Sequence, residues 1–376
     1  MKALILSGGK GSRLQPITYT HAKQLVPVAN KPVLFYVLET IVGAGITDIG
    51  IIVGDTATEI EDALKDGKAF GADVSITYIR QEQPLGLAHA VKTAQSFLQN
   101  ERFLMFLGDN FIEEDIVSVV RYFSHPHCPL HAQVFLKQVP DPQQFGVAQL
   151  CTQNGELITS VAGIDEATIH IHRLIEKPKE PVSNFALIGI YLFDEHIFEG
   201  VDAIAPSPRG ELEITDAIQY LIDHQYTVRP HIINGYWIDT GQMKDMLEAN
   251  RVILSRIRRS ISSNASIDQH SQVYGDVVLE ENACLINSIV RGPSAIGRNV
   301  HLTNAYIGPF TAIGQDSIVV SSEIEHSIIL EGCRISDIQG RIEDSLIGCR
   351  TEIYPSPAKP RAHKLLLGDN SRIGIL

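Results

Sequence analysis

The sequence predicts an α/β domain with a mixed, mostly parallel sheet, followed by a parallel β-helix, and three observations carry that expectation. Over residues 1 to about 240, short β-rich runs alternate with stretches of helical spacing. Beyond about residue 260, one aliphatic residue returns at every sixth position. Between them lies a charged stretch with helical periodicity. Strand–helix alternation builds parallel sheets covered on both faces, because each parallel crossover needs a helix to return the chain. A six-residue aliphatic period instead stacks short strands coil upon coil, each pointing one side chain inward.

KALIL (2–6) is the first strand, followed by helix-like LFYVLETIVGAG (34–45), strand IGIIV (49–53), helix-like EIEDALKDG (59–67) and strand VSITYI (74–79). FLMFLGDN (103–110) reads as a buried strand with an aspartate just past its C-terminal end, where open α/β sheets bind ligands. QMKDMLEANRVILSRIRR (242–259) spaces Met246, Ile253 and Ile257 helically and is assigned as a connecting helix, giving domains at 1–240 and 261–376 with the connector at 241–260. In the second domain Ile261, Ile267, Val273, Leu279 and Leu285 mark the period, and Ile296-Gly297, Ile307-Gly308, Ile313-Gly314 and Ile347-Gly348 follow among small polar residues. The open ends of such a stack must be covered to prevent edge pairing, so a homo-oligomer is expected. The apolar final segment LLLGDNSRIGIL (365–376) is expected to pack on the β-helix or on a neighbouring subunit.

With 376 residues, 44% hydrophobic and 20% charged, the chain can bury two cores. A net charge of -13 argues against a phosphate-backbone footprint, so nucleic acid is not an expected partner, although a local basic pocket for one triphosphate is compatible. The five cysteines form no C-x-x-C pair, which points away from a zinc cluster or disulfide framework and towards a reducing cytoplasm. The opening MKALILSGGKG has too short an apolar run for a secretory signal. No uncharged apolar stretch of about 18 residues follows, so no membrane span is expected.

The first strand runs straight into LSGGKGSRLQPIT, where Gly8, Gly9 and Gly11 allow backbone N–H groups to approach an anion. Neither the dinucleotide spacing G-x-G-x-x-G nor a Walker loop ending in G-K-[ST] is met. Arg13 and Lys23 beside the glycines instead make a small cationic cradle for a triphosphate.

The pattern G-G-x-G-x-R-L-x-P, followed by K-x-L-x-P-V from Lys23 and by Lys31-Pro32, resembles the N-terminal signature of the sugar-nucleotide pyrophosphorylases. Over its whole length the chain is most similar to the long form of the glucose-1-phosphate thymidylyltransferases. The resemblance implies a Rossmann-like nucleotidyltransferase domain, a left-handed β-helix and Mg²⁺ as cofactor. Gly8, Gly9, Gly11, Arg13 and Lys23 match the nucleotide-phosphate cradle, and Gln24 matches a glutamine near the deoxyribose. QEQPLGLAHA (81–90) matches the base-binding loop, with Gln81 facing the base edge and Gly86 admitting the backbone. Short-form enzymes carry an aspartate before that glycine where this chain has Leu85, which leaves the base contacts of the loop open; His89 reads as a packing histidine. Asp109 and Asp239 match the two magnesium ligands. On the sugar side the matches are Gly146, Glu176 and Lys177, Arg209 as a second cation for the sugar phosphate, and Asn184, Leu187 and Gly189 along the pocket. Glu211 and Glu213 belong either to that pocket or to the local fold.

The implied reaction is in-line attack of a sugar-phosphate oxygen on the α-phosphorus of the triphosphate, with pyrophosphate leaving. The attacking phosphate is already ionised, so no general base is required. Catalysis then rests on positioning and charge neutralisation by Arg13, Lys23, Lys177 and Asp109. The expected substrates are dTTP and glucose 1-phosphate, giving dTDP-glucose. UTP stays open, because thymidylyl and uridylyl enzymes share most of these motifs and one methyl group is worth about 1–3 kcal/mol. A β-helix acyltransferase also stays open: His270, His301 and His326 are available as bases, and none sits in a defined motif.

Overall fold

The structure, a computed structural model, describes residues 1–9, 11–19 and 21–356. The terminal segment 365–376 lies outside the described residues. The chain divides mainly at Ile257–Arg258 into two compact units, with Asp344–Leu346 grouped with the first.

In the first unit, strand Lys2–Leu6 lies between Asp48–Val53 and Phe103–Leu107 and runs parallel to both. Ser75–Arg80 adds outside Asp48–Val53, again parallel. The chain thus moves outward from Lys2–Leu6 through two strands and then crosses to its other side. That crossing puts the topological switch point between Lys2–Leu6 and Phe103–Leu107, where open α/β sheets form their ligand crevice. Phe185–Phe193 continues the sheet antiparallel to Phe103–Leu107, Ala132–Gln138 pairs antiparallel with it, and Val228–Ile232 adds parallel beyond. Gly146–Thr152 pairs antiparallel with Ile169–Glu176, completing a mixed sheet around a parallel core.

Strands covered on both faces must be apolar at every position, and period 2 decides which core each side chain joins. Leu4, Ile52 and Met105 enter one cluster of buried side chains, and Ala3, Ile5, Ile51 and Phe106 enter the other. Helix Val33–Gly43 covers the second cluster with Leu34, Val37, Leu38 and Ile41, a one-sided stripe at helical spacing. Helix Met243–Leu254, read from the sequence as a connector, lies in the first unit. Its buried face is Met246, Leu247, Asn250 and Leu254, whereas Ile253 and Ile257 are only partly buried. Asn250 explains the offset, because this polar side chain is buried to accept a hydrogen bond from the Ala29 N–H at 2.8 Å.

The second unit stacks short strands in three parallel sheets, one strand of each per coil, an arrangement that fits a left-handed parallel β-helix. Ile261, Leu279, Ile296 and Ile313 stack in one column and Ile267, Leu285, Leu302 and Val319 in a second, buried from Leu279 and Leu285 onward, with Ile261 and Ile267 exposed in the first coil. Val273, Val290, Ile307 and Ile324 form the third. The strict six-residue period slips in this third column: Val290 follows Leu285 one residue early, because that side of the coil is shorter. At the corners Asn282, Asn299 and Asp316 hold φ of 59°, 57° and 60°, a region these side chains tolerate best among non-glycines. Asn282 donates to Asn299 at 3.0 Å and Asn299 to Asp316 at 2.9 Å, so the corners stack as a ladder. Among the described residues no helix is long and apolar enough to cross a membrane, and all five cysteines are free thiols.

Candidate active site

Two loops leave the sheet at the switch point. The ladder extends one step past each strand, through Ser7 N–H to the Ile52 carbonyl and Gly108 N–H to the Leu6 carbonyl, both at 2.9 Å. Asp109 comes next, and Asn110–Ile112 then pairs antiparallel with Trp237–Asp239, setting Asp239 opposite Asn110. Thr240 locks the junction by donating to the Asp109 carbonyl from its N–H at 3.1 Å and its hydroxyl at 2.7 Å. This small two-stranded sheet brings together two carboxylates far apart in the chain.

Both carboxylates converge on Lys23. Its ammonium donates a hydrogen bond to Oδ2 of Asp109 and lies 3.6 Å from Oδ1 of Asp239, while Nη2 of Arg13 is 4.0 Å from Oδ2 of Asp239. Lys23 is 6% exposed, and its stem passes Gly11, where a Cβ would stand 2.9 Å from the Lys23 Cβ on a backbone already at φ 62°. Burial lowers the Lys23 pKa, but the charges of Asp109 and Asp239 outweigh it and the net direction is upward. Burial raises the Asp239 pKa, repulsion from Asp109 adds to it, and Lys23 and Arg13 oppose both. Two carboxylates sharing one cation are a hard-oxygen donor set that suits a divalent ion.

A cavity of about 260 Å³ on one side of this cluster is lined by Gly8, Gly9, Gln24, Gln81, Gly86 and Asp109. Gln24 is 2% exposed, and its Oε1 is buried without a hydrogen-bond partner among the described residues. Gly86, expected to admit a base, has a second constraint. At φ 103° its Cβ would stand 2.4 Å from the Leu212 carbonyl oxygen, because Leu85 and Ala88 exchange backbone hydrogen bonds with Leu212 at 2.8 and 3.1 Å.

On the other side a cleft of about 710 Å³ gathers Gly146, Glu176, Lys177, Leu187 and Gly189 with Arg13 and Asp239. Gly189 sits in a bulge of Phe185–Phe193 at φ 76°, where a Cβ would meet Leu107 Cδ1 at 2.4 Å and Asn110 Nδ2 at 2.5 Å. Lys177 is held at φ 41° by its N–H bond to the Phe145 carbonyl at 3.0 Å, with its ammonium 3.8 Å from Glu176. Burial raises the Glu176 pKa and repulsion from Glu213 adds to it, against Lys177 and Arg209. Arg209, expected as a second phosphate cation, has its guanidinium engaged by Glu213 at 2.8 Å and by Glu176 and Glu211 at 3.3 Å. It nonetheless borders a recess of about 240 Å³ beside Lys177. Glu213 is buried and also accepts from the Ser207 hydroxyl at 2.6 Å, so it anchors Arg209.

Asn184 is not brought to any of these three cavities; its carbonyl accepts from Val139 N–H at 2.9 Å where Phe185–Phe193 begins. Sequence reasoning missed the wall made by Trp237 and Phe145, which meet edge to face at 5.1 Å. It also missed Lys244, Asp245 and Glu248, whose helix had been read as a connector.

The nucleotidyl transferase family pattern matches residues 2–256. The chain belongs to the nucleotidyl transferase family. It is 48% identical over 375 residues to a glucose-1-phosphate thymidylyltransferase of Streptomyces griseus, covering 100% of this chain and 99% of that one. A low-salt glycan biosynthesis nucleotidyltransferase of Haloferax volcanii is 41% identical, with each chain covered completely. The bifunctional protein GlmU of Methanocaldococcus jannaschii is 34% identical over 93% of this chain and 78% of its own. Among solved structures, a UDP-glucose pyrophosphorylase in complex with UDP-glucose superposes with a TM-score of 0.58 over 68% of this chain and 98% of its own, at 24% identity, which speaks to the fold alone.

Within the family the chain groups with the long-form glucose-1-phosphate thymidylyltransferases, and it is a nucleotidyltransferase. Two histidine groups of this nucleotidyltransferase lie outside the cavities. His131, Asp194 and His196 bring ligand-type atoms within 4.8 Å of one another, but Nδ1 of His131 accepts Thr227 N–H at 3.0 Å. Its other ring nitrogen then carries the proton and donates rather than ligates. In the second unit His270 and His301 are exposed.

Proposed function

We propose that this nucleotidyltransferase transfers a thymidylyl group from dTTP to glucose 1-phosphate, yielding dTDP-glucose and pyrophosphate. The observation that carries the reading is the position of the Lys23 cluster: Asp109 lines the cavity of about 260 Å³ and Asp239 the cleft of about 710 Å³, with Leu87 and Leu107 common to both, and both aspartates line the recess of about 240 Å³. A reaction that joins two phosphates needs its charge-neutralising groups at the seam between two binding cavities. Asp109 and Asp239 would hold Mg²⁺, which when bound neutralises charge on the α-phosphate. Lys23 and Arg13 bind the triphosphate oxygens, and Lys177 orients the sugar phosphate, whose ionised oxygen attacks the α-phosphorus as pyrophosphate departs. Glu176, beside Gly146 in the cleft, accepts from a sugar hydroxyl. The triphosphate substrate and the free thiols suit the cytoplasm.

The thymidine nucleotide is favoured by the two relatives at 48% identity, both named glucose-1-phosphate thymidylyltransferases. Product analysis with four nucleoside triphosphates against several sugar 1-phosphates tests the reading, with dTTP and glucose 1-phosphate expected to give the highest kcat/KM. An excess for UTP moves the enzyme to the uridylyl class, and absence of pyrophosphate release with every pair sinks the proposal.

A further inference from the structure

The amide of Gln81 is fixed in one of its two orientations by two partners, His89 and Gly86, the second of which lines the same cavity. Its Nε2 lies 2.8 Å from Nδ1 of His89 and 3.4 Å from the carbonyl oxygen of Gly86. An imidazole nitrogen donates or accepts, so His89 alone would permit either orientation of the amide. The Gly86 carbonyl only accepts, and that breaks the symmetry: the group facing both partners is the NH₂, with one hydrogen for each. Nδ1 of His89 is therefore the acceptor, and the neutral ring carries its proton on Nε2. Burial, and after it the charge of Lys92, holds the His89 pKa below the ordinary histidine value, in keeping with a neutral ring. With both hydrogens taken, the other end of Gln81 is fixed as well. Its Oε1 lies 3.3 Å from where a Cβ on Gly8 would stand, and Gly8 lines the same cavity.

We propose that His89 is a positioning residue for base selection: with the Gly86 carbonyl it locks Gln81 so that the incoming nucleotide meets a carbonyl oxygen. This deepens the proposed function and rests on the nucleotide base occupying the cavity of about 260 Å³ that Gln81 and Gly86 line. An acceptor there favours a base edge that offers an N–H, as the imide N3–H of thymine or uracil does. Cytosine presents a lone pair at N3, and two acceptors facing each other in a desolvated site leave both unpaired, which makes such discrimination steep.

The test measures kcat and KM for dTTP and dCTP at saturating glucose 1-phosphate in the full chain. His89→Asn keeps an acceptor where Nδ1 stands, and His89→Leu removes it. His89→Leu is expected to raise the dTTP KM about 10-fold with kcat within about 2-fold, and to lower the dTTP-over-dCTP preference by about 10-fold. The KM for glucose 1-phosphate should not move, and His89→Asn should restore most of the preference. A leucine variant with the parent's dTTP-over-dCTP ratio, or an asparagine variant no better than leucine, overturns the proposal. The tautomer is also read on the unaltered protein by nitrogen NMR of labelled histidine, with the His89 signal assigned by its loss in His89→Asn. A neutral ring protonated on Nε2 supports the lock, and one protonated on Nδ1 overturns it. A parent that turns over neither dTTP nor UTP defeats the functional assignment itself, which is distinguishable from an active parent whose selectivity ignores His89.

Discussion

The two units of the chain treat backbone exceptions in opposite ways. In the β-helix, residues with positive φ recur with the coil: Asn282, Asn299 and Asp316 at one corner, Asn287 and Asn304 at another, each hydrogen-bonded to the next. In the first unit Gly11, Lys177 and Gly189 occur once each, and each is pressed against a side chain or backbone of the candidate active site. Buried charge divides the same way, because among the described residues the buried Lys23, Asp194 and Glu213 all belong to the first unit. An exception that repeats is architecture, stabilised by its own neighbours along the stack. An exception that occurs once must be stabilised by its particular surroundings: Lys65 and Gln99 end helices, whereas Gly11, Lys177 and Gly189 sit at the candidate active site.

That contrast is broken most directly at the carboxylate pair. Asp109→Asn and Asp239→Asn keep shape while removing a charge that faces Lys23, so each should fold and lose about 10²-fold or more in turnover. Pyrophosphate release at saturating Mg²⁺ measures it, and near-normal turnover in both variants would remove the metal-ligand assignment. The complementary experiment acts on the repeating unit. Leu302, fully buried between Leu285 and Val319, should cost about 2–5 kcal/mol on truncation to Ala without altering kcat, as read by chemical denaturation beside activity. A chain ending at Ile257 should retain detectable nucleotidyl transfer while changing the number of subunits per particle measured by light scattering, because the β-helix is the expected seat of self-association. An unchanged subunit number would take the assembly role away from the second unit.

A smaller effect separates the two cavities. Lys177→Ala removes an ammonium from the cleft proposed to bind the sugar phosphate, so it should raise the KM for glucose 1-phosphate more than that for dTTP. Loss of a charge-assisted hydrogen bond costs about 1.5–3 kcal/mol. A rise confined to the nucleotide KM would reverse the division of the site.

The parts of this molecule legible in the sequence were those set by local spacing. The three columns of the β-helix follow from the recurrence of Ile261, Ile267 and Val273, and the buried parallel strands follow from the uninterrupted apolar runs Ala3–Leu6 and Phe103–Leu107. Gly11 and Lys23 could be paired because they share one loop region. What remained hidden was tertiary. The meeting of Asp109 with Asp239 depends on the pairing of Asn110–Ile112 with Trp237–Asp239, and no local pattern encodes it. Engagement of Arg209 by Glu213 was hidden as well, since a cation among carboxylates reads equally as a ligand site or an anchored side chain. The helix Met243–Leu254 belongs to the first unit for a related reason: its Asn250, polar in sequence, is buried and accepts a hydrogen bond from the Ala29 N–H.

The smallest expected effect concerns stability at the carboxylate pair. Burial and the charge of Asp109 raise the folded pKa of Asp239, so its ionised form is disfavoured in the folded chain relative to the unfolded one. The sign follows from linkage: the destabilisation is full above the folded pKa, shrinks as pH falls through it, and is gone below the ordinary aspartate value. Lys23 works in the other direction, with a raised pKa whose stabilisation is fully present at pH 7 and lost only as pH rises through the folded value. Asp239→Asn removes the first contribution and leaves Lys23 its hydrogen bond to Asp109. The variant should therefore melt higher than the parent near pH 7, with the gap closing as pH falls towards the ordinary aspartate value. Calorimetry across that range checks it, and a variant that melts lower at neutral pH would mean that the Asp239 charge stabilises the fold. A substitution that raises the melting point while removing turnover is the signature of a group retained for chemistry at the expense of stability.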